Sequence, residues 1–348
     1  TALTLAKALV NQNIFVDLVS SNKNHKINHS RTVGISKSNF NYFNKNIINI
    51  EKISWKINKI EIYTDKDKNE KILNFENSDN QLFSMIKNYQ LYEVLTKNLF
   101  KNKYFKKIKP KKKLIKLDKY NLIVNTEYNN AFTKKYFSKK IEKTYNISAY
   151  TTVINHEKIS NQIAVQIFTK IGPLAFLPLS KNKTSIVYSI YNSKDVDRKK
   201  IIHLINQHNI KYKIKKIEKI ENFELKSFNL RSYYHNNILA FGDLLHRIHP
   251  LAGQGFNMTI RDINVFINII KNKIDLGLPI DSSVNYEFEK KTKHKNYLFS
   301  NGIDFIYEFF NFENRINSQV ISKSIKFLNN NKLINKFIIK SADEGIII

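Results

Sequence analysis

Apolar residues recur along the chain at both helical and strand spacing, and this mixture predicts an α/β protein. An Ala- and Leu-rich stretch over residues 2–10 predicts a helix, and the apolar run 14–19 predicts a strand. A helix leading into a strand is the second half of a β-α-β unit. Because the sequence starts at Thr1, inside that helix, we expect a truncated form that lacks the preceding strand and glycine-rich turn.

The pattern then alternates over residues 50–75, which predicts a β-hairpin with a charged turn at 65–69. A helix is predicted over residues 88–100, because Leu91, Leu95 and Leu99 fall on one face. The lysine-rich run 101–113 is typical of an exposed loop or an edge strand. Residues 120–125 predict a short buried strand.

A second sheet is predicted over residues 146–190, with Gly172 and Pro173 in a turn between two strands. Ser193 is a candidate cap for a helix over 195–208. After Pro250 the pattern is helical almost to the end, with predicted breaks near residues 277–279 and near Asn311.

Composition narrows the class of protein. The 348 residues, 42% of them hydrophobic, support a substantial core in one large domain or two ordinary ones. The absence of cysteine excludes disulfides, thiolate metal sites and a cysteine nucleophile. No apolar run is long enough to span a membrane and no signal peptide is evident, so we expect a cytoplasmic protein, with peripheral contact to the inner membrane as an open alternative.

The large positive charge of the chain is weak evidence for a nucleic-acid partner. The chain has 58 basic and 29 acidic residues, a formal net charge of +29, but only six of the basic residues are arginine. Nucleic-acid-binding proteins rely on arginine for bidentate contacts, and a lysine excess beside many Asn, Ile, Tyr and Phe residues is typical of AT-rich codons. We therefore expect no nucleic-acid partner.

One segment, residues 238–262, concentrates the residues that suggest chemistry. It holds three of the eight glycines, two of the nine histidines and one of the five prolines: Gly242, Gly253, Gly255, His246, His249 and Pro250. An apolar strand ending at Asp243 places a carboxylate at the carboxyl edge of a sheet, where α/β folds bind ligands. The two later glycines precede a predicted helix over 256–270, whose N-terminal end favours an anion.

This segment resembles the second FAD fingerprint of flavin-dependent aromatic hydroxylases, in particular the GDAAHxxHPLAGQGLNxGxRD motif of ubiquinone-biosynthesis hydroxylases of the 2-octaprenyl-6-methoxyphenol hydroxylase type. RTVGIS at residues 31–36 is similar to that family's RTIALS. FTKIGPLAFLPLS at 168–180 is similar to its FTxxGPLAxLPLS. TALTLAKAL at the start resembles the helix after its GxGxxG turn, and all four blocks occur in the family's order.

The resemblance implies a p-hydroxybenzoate hydroxylase-like fold: a Rossmann-like FAD-binding domain, an antiparallel-sheet substrate domain and C-terminal helices. We expect the FAD-binding domain to combine residues 1–50, 79–130 and 231–275. The substrate-side sheet would take residues 51–78 and 131–230, and the helical region residues 276–348.

The implied activity is hydroxylation of a prenylated phenol in ubiquinone biosynthesis, with FAD as cofactor, NAD(P)H as reductant and a C4a-hydroperoxyflavin as oxidant. Other ubiquinone-biosynthesis proteins are possible partners. Because the flavin carries the chemistry, no catalytic triad is expected, although His249 and Pro250 would lie near the isoalloxazine. The implied cofactor-binding residues are Arg31, Gly242, Asp243, Pro250, Leu251, Ala252, Gly253, Gln254, Gly255 and Asn257.

The sequence departs from the family pattern at three positions. Ser20 stands where an acid for the adenosine ribose is expected, Tyr89 where an arginine is expected, and Tyr128 where a glycine is expected, although the neighbouring acid is kept as Glu127. Two alternatives therefore stay open: a hydroxylase of a small soluble phenol, or a non-catalytic flavoprotein partner in a biosynthetic complex. Without the glycine-rich turn, we also expect the chain to bind FAD more weakly than a chain that carries it.

Two other features have competing interpretations. His246 and His249 suggest a metal pair, but no third ligand has suitable spacing, so we expect no metal and interpret them as capping or satisfied core histidines. An aromatic stretch is typical of helix–helix packing or, edged by Lys291, Lys293 and Lys295, of lipid contact. That stretch comprises Tyr297, Phe299, Phe305, Ile306, Tyr307, Phe309, Phe310 and Phe312.

Overall fold

The computed structural model describes residues 1–20, 30–65, 71–76, 81–108, 117–191, 196–248, 253–316 and 339–345. The helices are α1 (Ala2–Val10), α2 (Lys37–Asn46), α3 (Asn88–Leu99), α4 (Ala131–Tyr136), α5 (Arg198–Gln207), α6 (Gln254–Asp275) and α7 (Ser282–Ile316). The first eight strands are β1 (Val16–Val19), β2 (Thr32–Ser36), β3 (Ser54–Ile57), β4 (Lys59–Thr64), β5 (Leu73–Glu76), β6 (Phe83–Lys87), β7 (Phe105–Ile108) and β8 (Ile123–Asn125). The others are β9 (Lys140–His156), β10 (Ile163–Thr169), β11 (Gly172–Ser180), β12 (Lys183–Tyr191), β13 (Ile214–Ile217), β14 (Glu221–Leu230), β15 (Tyr234–His235), β16 (Ile238–Ala240) and β17 (His246–Arg247).

The largest element is a nine-stranded sheet in the order β17-β14-β9-β12-β11-β10-β4-β5, with β13 also paired to β9. All of its pairs are antiparallel except β10 with β4. Side chains alternate between its faces, and one face packs Ile154, Ile186 and Tyr188 against Ile201 and Ile205 of α5. We call this the helix-covered face and the opposite one the open face.

Three smaller sheets form the remainder: β1 with β7 (parallel), β2-β6-β3 (antiparallel) and β15-β16-β8. A second core joins β2, β6, β8 and β16 to α1, α2, α6 and α7. At its centre the ring centres of Phe241, Phe266 and Phe288 lie 5.4–5.7 Å apart, one pair stacked and two pairs edge-to-face. The predicted mixed α/β fold is confirmed. No helix in the described part of the chain is long and apolar enough to cross a membrane.

The helices predicted at 2–10 and 88–100 are confirmed, the 120–125 strand is present as β8, and the 101–113 run contains an edge strand, β7. The hairpin prediction was wrong in one respect. Residues 54–64 are two strands, split at Asn58, because β3 pairs with β6 whereas β4 pairs with β10 in the large sheet.

Three other boundaries differ from prediction. Helix α5 begins at Arg198, where the Asp197 side chain accepts a hydrogen bond from the Lys199 N–H (3.3 Å); Ser193 lies outside the described residues. Gly172 opens strand β11 rather than forming the turn, which falls at residues 170–171. The break at 277–279 is present, but α7 runs through Asn311 to Ile316.

Candidate functional site

The Gly242–Asp243 turn follows β16 and lies against the N-terminal end of α1. Gly242 has φ +66°, and a Cβ there would lie 2.3 Å from Cγ2 of Thr1, so the turn requires glycine twice over. Because α1 leads directly into β1, its N-terminal end lies toward the carboxyl end of that strand. The placement of Asp243 at that strand end stays a prediction.

The start of α6 is fixed by one buried amide. Asn257, 2% exposed, donates from Nδ2 to the Gly34 carbonyl (3.0 Å) and accepts at Oδ1 from the Ser36 N–H (2.9 Å). Both partners belong to β2, so this side chain joins the RTVGIS block to the second fingerprint. Gly253 precedes α6 in the left-handed conformation (φ +63°), and a Cβ there would lie 3.8 Å from the Gly34 nitrogen, an ordinary van der Waals distance. Two blocks 220 residues apart in sequence are therefore brought together.

The same helix end offers polar groups that no described residue satisfies. Gln254 is 6% exposed, yet its Oε1 has no hydrogen-bond partner among the described residues. The first-turn N–H groups of a helix have no intrahelical acceptors and carry partial positive charge. We call the following set the cradle: Gly242, Asp243, Gly253, Gln254, Gly255 and Asn257. With an exposed carboxylate, an orphaned amide oxygen and free N–H donors, the cradle fits a ligand that is both polar and partly anionic.

Behind the cradle lies a buried polar pair. His246 Nε2 is 2.7 Å from Asp262 Oδ2, and both side chains are about 2% exposed. Asn296 of α7 donates to the other Asp262 oxygen at 3.0 Å. His246 is therefore a buried core residue bonded through Nε2, whereas its Nδ1 has no hydrogen-bond partner among the described residues, so its interpretation as a satisfied core histidine stays a prediction. Its partner was not foreseen, although Asp262 closes the same segment as the RD of the motif.

The open face of the large sheet meets the start of β2. The Arg31 guanidinium lies 5.9 Å from the ring centre of Phe223 on β14, and the Thr32 and Ser185 hydroxyls are 2.9 Å apart. The sequence predicts Arg31 as a cofactor contact, and that role stays a prediction.

Thr151 lies on β9 between these two contacts. It is flanked on its face by Ala149, which is paired with Phe223, and by Val153, which is paired with Ser185. Thr151 is 7% exposed, and its hydroxyl has no hydrogen-bond partner among the described residues. Sequence reasoning missed this residue, although the alternation along β9 was available to indicate its face.

Other predicted site residues are placed as follows. His249, Pro250, Leu251 and Ala252 lie outside the described residues. Tyr128 is 47% exposed and accepts a hydrogen bond from Lys140 Nζ at 2.5 Å, so the family's glycine position carries a surface ring here. In the aromatic stretch Phe299 is buried, whereas Tyr297 and Phe305 are exposed.

Comparison with known proteins gives three consistent results. Residues 143–272 match the sequence profile of an FAD binding domain. The 3-demethoxyubiquinol 3-hydroxylase of Escherichia coli (strain K12) is 29% identical over 153 residues, covering 41% of this chain and 38% of that protein. The mitochondrial ubiquinone biosynthesis monooxygenase COQ6 of Schizosaccharomyces pombe is 26% identical over 125 residues, covering 36% of this chain and 26% of that protein. The matches thus span well under half the length of these relatives.

Solved structures share the fold over nearly the whole chain. The p-nitrophenol 4-monooxygenase PnpA from Pseudomonas putida DLL-E4 superposes with a TM-score of 0.81 at 10% identity, covering 99% of this chain and 96% of that one. Klebsiella pneumoniae HpxO, solved with FAD and uric acid, superposes with a TM-score of 0.75 at 8% identity, covering 99% and 93%. At such low identity these likenesses concern the fold, and the expected p-hydroxybenzoate hydroxylase-like architecture is confirmed.

Proposed function

We propose that this chain, which matches an FAD binding domain and is similar to hydroxylases of ubiquinone biosynthesis, binds the flavin end of FAD in its cradle and hydroxylates a prenylated phenol. The observation that carries the proposal is the Asn257 amide, which holds the start of α6 against β2. It brings the two blocks that resemble the family's flavin contacts to one place.

Each cradle residue has a defined task in this proposal. The exposed Asp243 carboxylate accepts hydrogen bonds from the ribityl hydroxyls. The N–H groups at the start of α6 face the pyrimidine edge of the flavin, where negative charge is stabilised by the helix dipole. Gln254 Oε1, buried and without a described partner, accepts a hydrogen bond from a ligand N–H or O–H. FAD, if bound there, would supply the redox chemistry of the hydroxylation, with NAD(P)H as two-electron donor, dioxygen as oxygen source, and water, formed with one further proton, as the second product.

The substrate ring is proposed to lie between the cradle and the open face of the large sheet. Thr151 supports this position, because a buried hydroxyl without a partner is costly unless a ligand group completes its hydrogen bond. Ser185 on the neighbouring strand differs, since its hydroxyl is already bonded to Thr32. We therefore assign the phenolic oxygen of the substrate to Thr151. The division into an FAD-binding domain, a substrate-side sheet and a helical region, with the boundaries given above, is part of the same proposal.

Quinone profiling of a deletion strain tests the substrate. The proposal requires less ubiquinone and an accumulated prenylated phenol, both reversed by the restored gene. Unchanged ubiquinone without such a precursor would contradict it, and turnover of a small soluble phenol by the purified protein would then favour the first alternative. In a third outcome, a variant that cannot bind FAD restores ubiquinone as well as the unmodified protein does. That result would favour the second alternative, a non-catalytic flavoprotein partner in a biosynthetic complex.

Contact with a lipid surface is proposed for α7, because a prenylated substrate partitions into the bilayer. Phe305 is 68% exposed on this helix and Tyr297 is 40% exposed. Co-sedimentation with anionic vesicles is the test. Phe305→Ser should weaken binding to the vesicles, whereas Phe15→Ser, at a ring that is 78% exposed and distant in sequence, should not. Equal binding by both variants would contradict this contact.

A further inference from the structure

A helical turn close to the end of the chain, residues 339–344, caps the N-terminal end of α2. The Asp343 carboxylate accepts hydrogen bonds from the Ser38 N–H (2.8 Å) and the Ser38 hydroxyl (2.9 Å). The Asp343 carbonyl oxygen accepts from the hydroxyls of Ser36 (3.0 Å) and Ser38 (2.9 Å) and from Asn39 Nδ2 (3.3 Å). Ser36, at the cap position of α2, makes no side-chain cap bond of its own. The N-terminal end of a helix favours a negative group, and for α2 that group is the carboxylate of Asp343, 305 positions after Ser38 in the sequence.

The same segment is held a second time, by α6. Gly345 has φ +87°, and a Cβ there would lie 3.0 Å from Arg261 Nε, so backbone and guanidinium are in close contact. The Arg261 guanidinium also lies 4.6 Å from the ring centre of Phe299 on α7. Burial lowers the pKa of Arg261 to about 10, and the carboxylates of Asp262 and Asp343 oppose that shift. Residues 339–345, which we call the tail turn, are therefore fixed between α2 and α6.

The groups that Asp343 binds also hold the cradle. The Ser36 N–H donates to Asn257 Oδ1 at 2.9 Å, and Asn39 Nδ2 lies between Ser36 Oγ (2.8 Å) and Asn257 Oδ1 (3.4 Å). Ser36, Asn39 and Asn257 are all at most 5% exposed. A continuous hydrogen-bonded network thus leads from the tail turn, through the first turn of α2, to the residue that orients the start of α6.

We propose that Asp343 is a positioning residue for the cradle: it fixes Ser36 and Asn39, and through them Asn257, in the arrangement that receives the flavin. When the residues that contact a ligand are already held in place by hydrogen bonds to their neighbours, less conformational entropy is lost on binding. The ligand therefore binds more tightly. The identity of the ligand rests on the proposed function. Among the described residues, the tail turn is linked to the cradle through this network.

Binding of FAD tests the proposal, with Glu344→Gln as the matched control. Glu344 is the neighbouring acid on the same turn, but it is exposed, and its one ion pair among the described residues is with Lys340 at 4.0 Å. Loss of a charged helix cap predicts a dissociation constant for FAD that rises about tenfold in Asp343→Ala. Asp343→Asn should fall between, because its amide oxygen still accepts from Ser38. The visible circular dichroism of bound flavin should change in Asp343→Ala and not in Glu344→Gln. Equal FAD affinity and equal spectra for Asp343→Ala and Glu344→Gln would overturn the proposal.

Hydrogen–deuterium exchange of the FAD-free chain separates this proposal from the proposed function. Asp343→Ala should speed exchange in peptides covering residues 34–40 and 253–260, whereas Glu344→Gln should not. Unchanged exchange at residues 253–260 would overturn the positioning role whether or not FAD binds. If those peptides respond but the unmodified chain binds no FAD, the proposed function fails, and with it the flavin as the ligand that Asp343 serves.

Discussion

Replacing Asn257 with alanine should both destabilise the protein and weaken FAD binding. The amide side chain satisfies two backbone groups of β2, the Gly34 carbonyl and the Ser36 N–H, at a site only 2% exposed. A buried backbone group left without a partner costs about 1–3 kcal/mol, so the two together give about 2–4 kcal/mol once partial access of water is allowed. This is a large share of the roughly 5–15 kcal/mol that stabilises a typical domain. Because the start of α6 is then no longer tied to β2, the dissociation constant for FAD should rise at least about tenfold.

Urea unfolding followed by circular dichroism measures the first effect, and titration of flavin fluorescence measures the second. Asn268→Ala is the matched control, because Asn268 lies on the same helix but is exposed, and within the described part of the chain its side chain donates only to Asn264 at 3.1 Å. We expect that control to change the free energy of unfolding by no more than about 0.5 kcal/mol. If Asn257→Ala lost no more stability and no more FAD affinity than Asn268→Ala, the assigned role of this amide would be wrong.

Three further predictions use the same unfolding measurement. Gly172→Ala should lower the free energy of unfolding by about 3 kcal/mol or more, because its Cβ would lie 1.9 Å from a backbone carbonyl oxygen. Gly277 also has a positive φ but faces open space, so Gly277→Ala should lower it by only about 1 kcal/mol. Equal losses would refute the steric argument. Asp262→Ala should lower the free energy of unfolding by about 3 kcal/mol or more, because it leaves the buried His246 unpaired. Asp275 is exposed on the same helix, so Asp275→Ala should leave that free energy almost unchanged. Similar values for the two variants would show that the His246–Asp262 pair is unimportant for stability. Burial lowers the pKa of His156 below its usual value near 6.5. Just below that pH, the imidazole therefore takes up a proton in the unfolded chain but not in the folded one. The free energy of unfolding should fall as the pH drops from about 6.5 to the folded-state pKa. His156→Gln should flatten that slope between pH 5 and 7, and an unchanged slope would assign the pH dependence elsewhere.

Local patterns were enough to predict the elements whose stability depends on local sequence. Helix α3 follows from the spacing of its leucines, and α6 begins where Gly253 supplies a left-handed residue. Boundaries that depend on distant partners were not predictable. The alternation is the same on both sides of Asn58, and only the pairing of β3 with β6 and of β4 with β10 divides the stretch. Helix α7 likewise runs past Asn311 although the local pattern predicts a break.

In the candidate site, too, local sequence was sufficient for some features, whereas others depend on distant partners. The residues of the cradle could be listed from the sequence because their glycine-rich segment resembles the second FAD fingerprint of flavin-dependent aromatic hydroxylases. Their supports could not, because Asn257 bonds to β2 and Asp343 bonds to α2 across more than 200 intervening residues. Thr151 carries no motif at all, and only its burial without a described partner draws attention to it.

The central claim is that the cradle holds FAD, and titrating the chain with FAD while following flavin fluorescence tests it most directly. We predict saturable binding of one FAD per chain that is weakened about tenfold or more by Asp243→Ala. Asp275→Ala, which removes an exposed acid from the far end of α6, should leave the dissociation constant unchanged. The absence of saturable binding, or binding that Asp243→Ala and Asp275→Ala leave equally strong, would contradict the account.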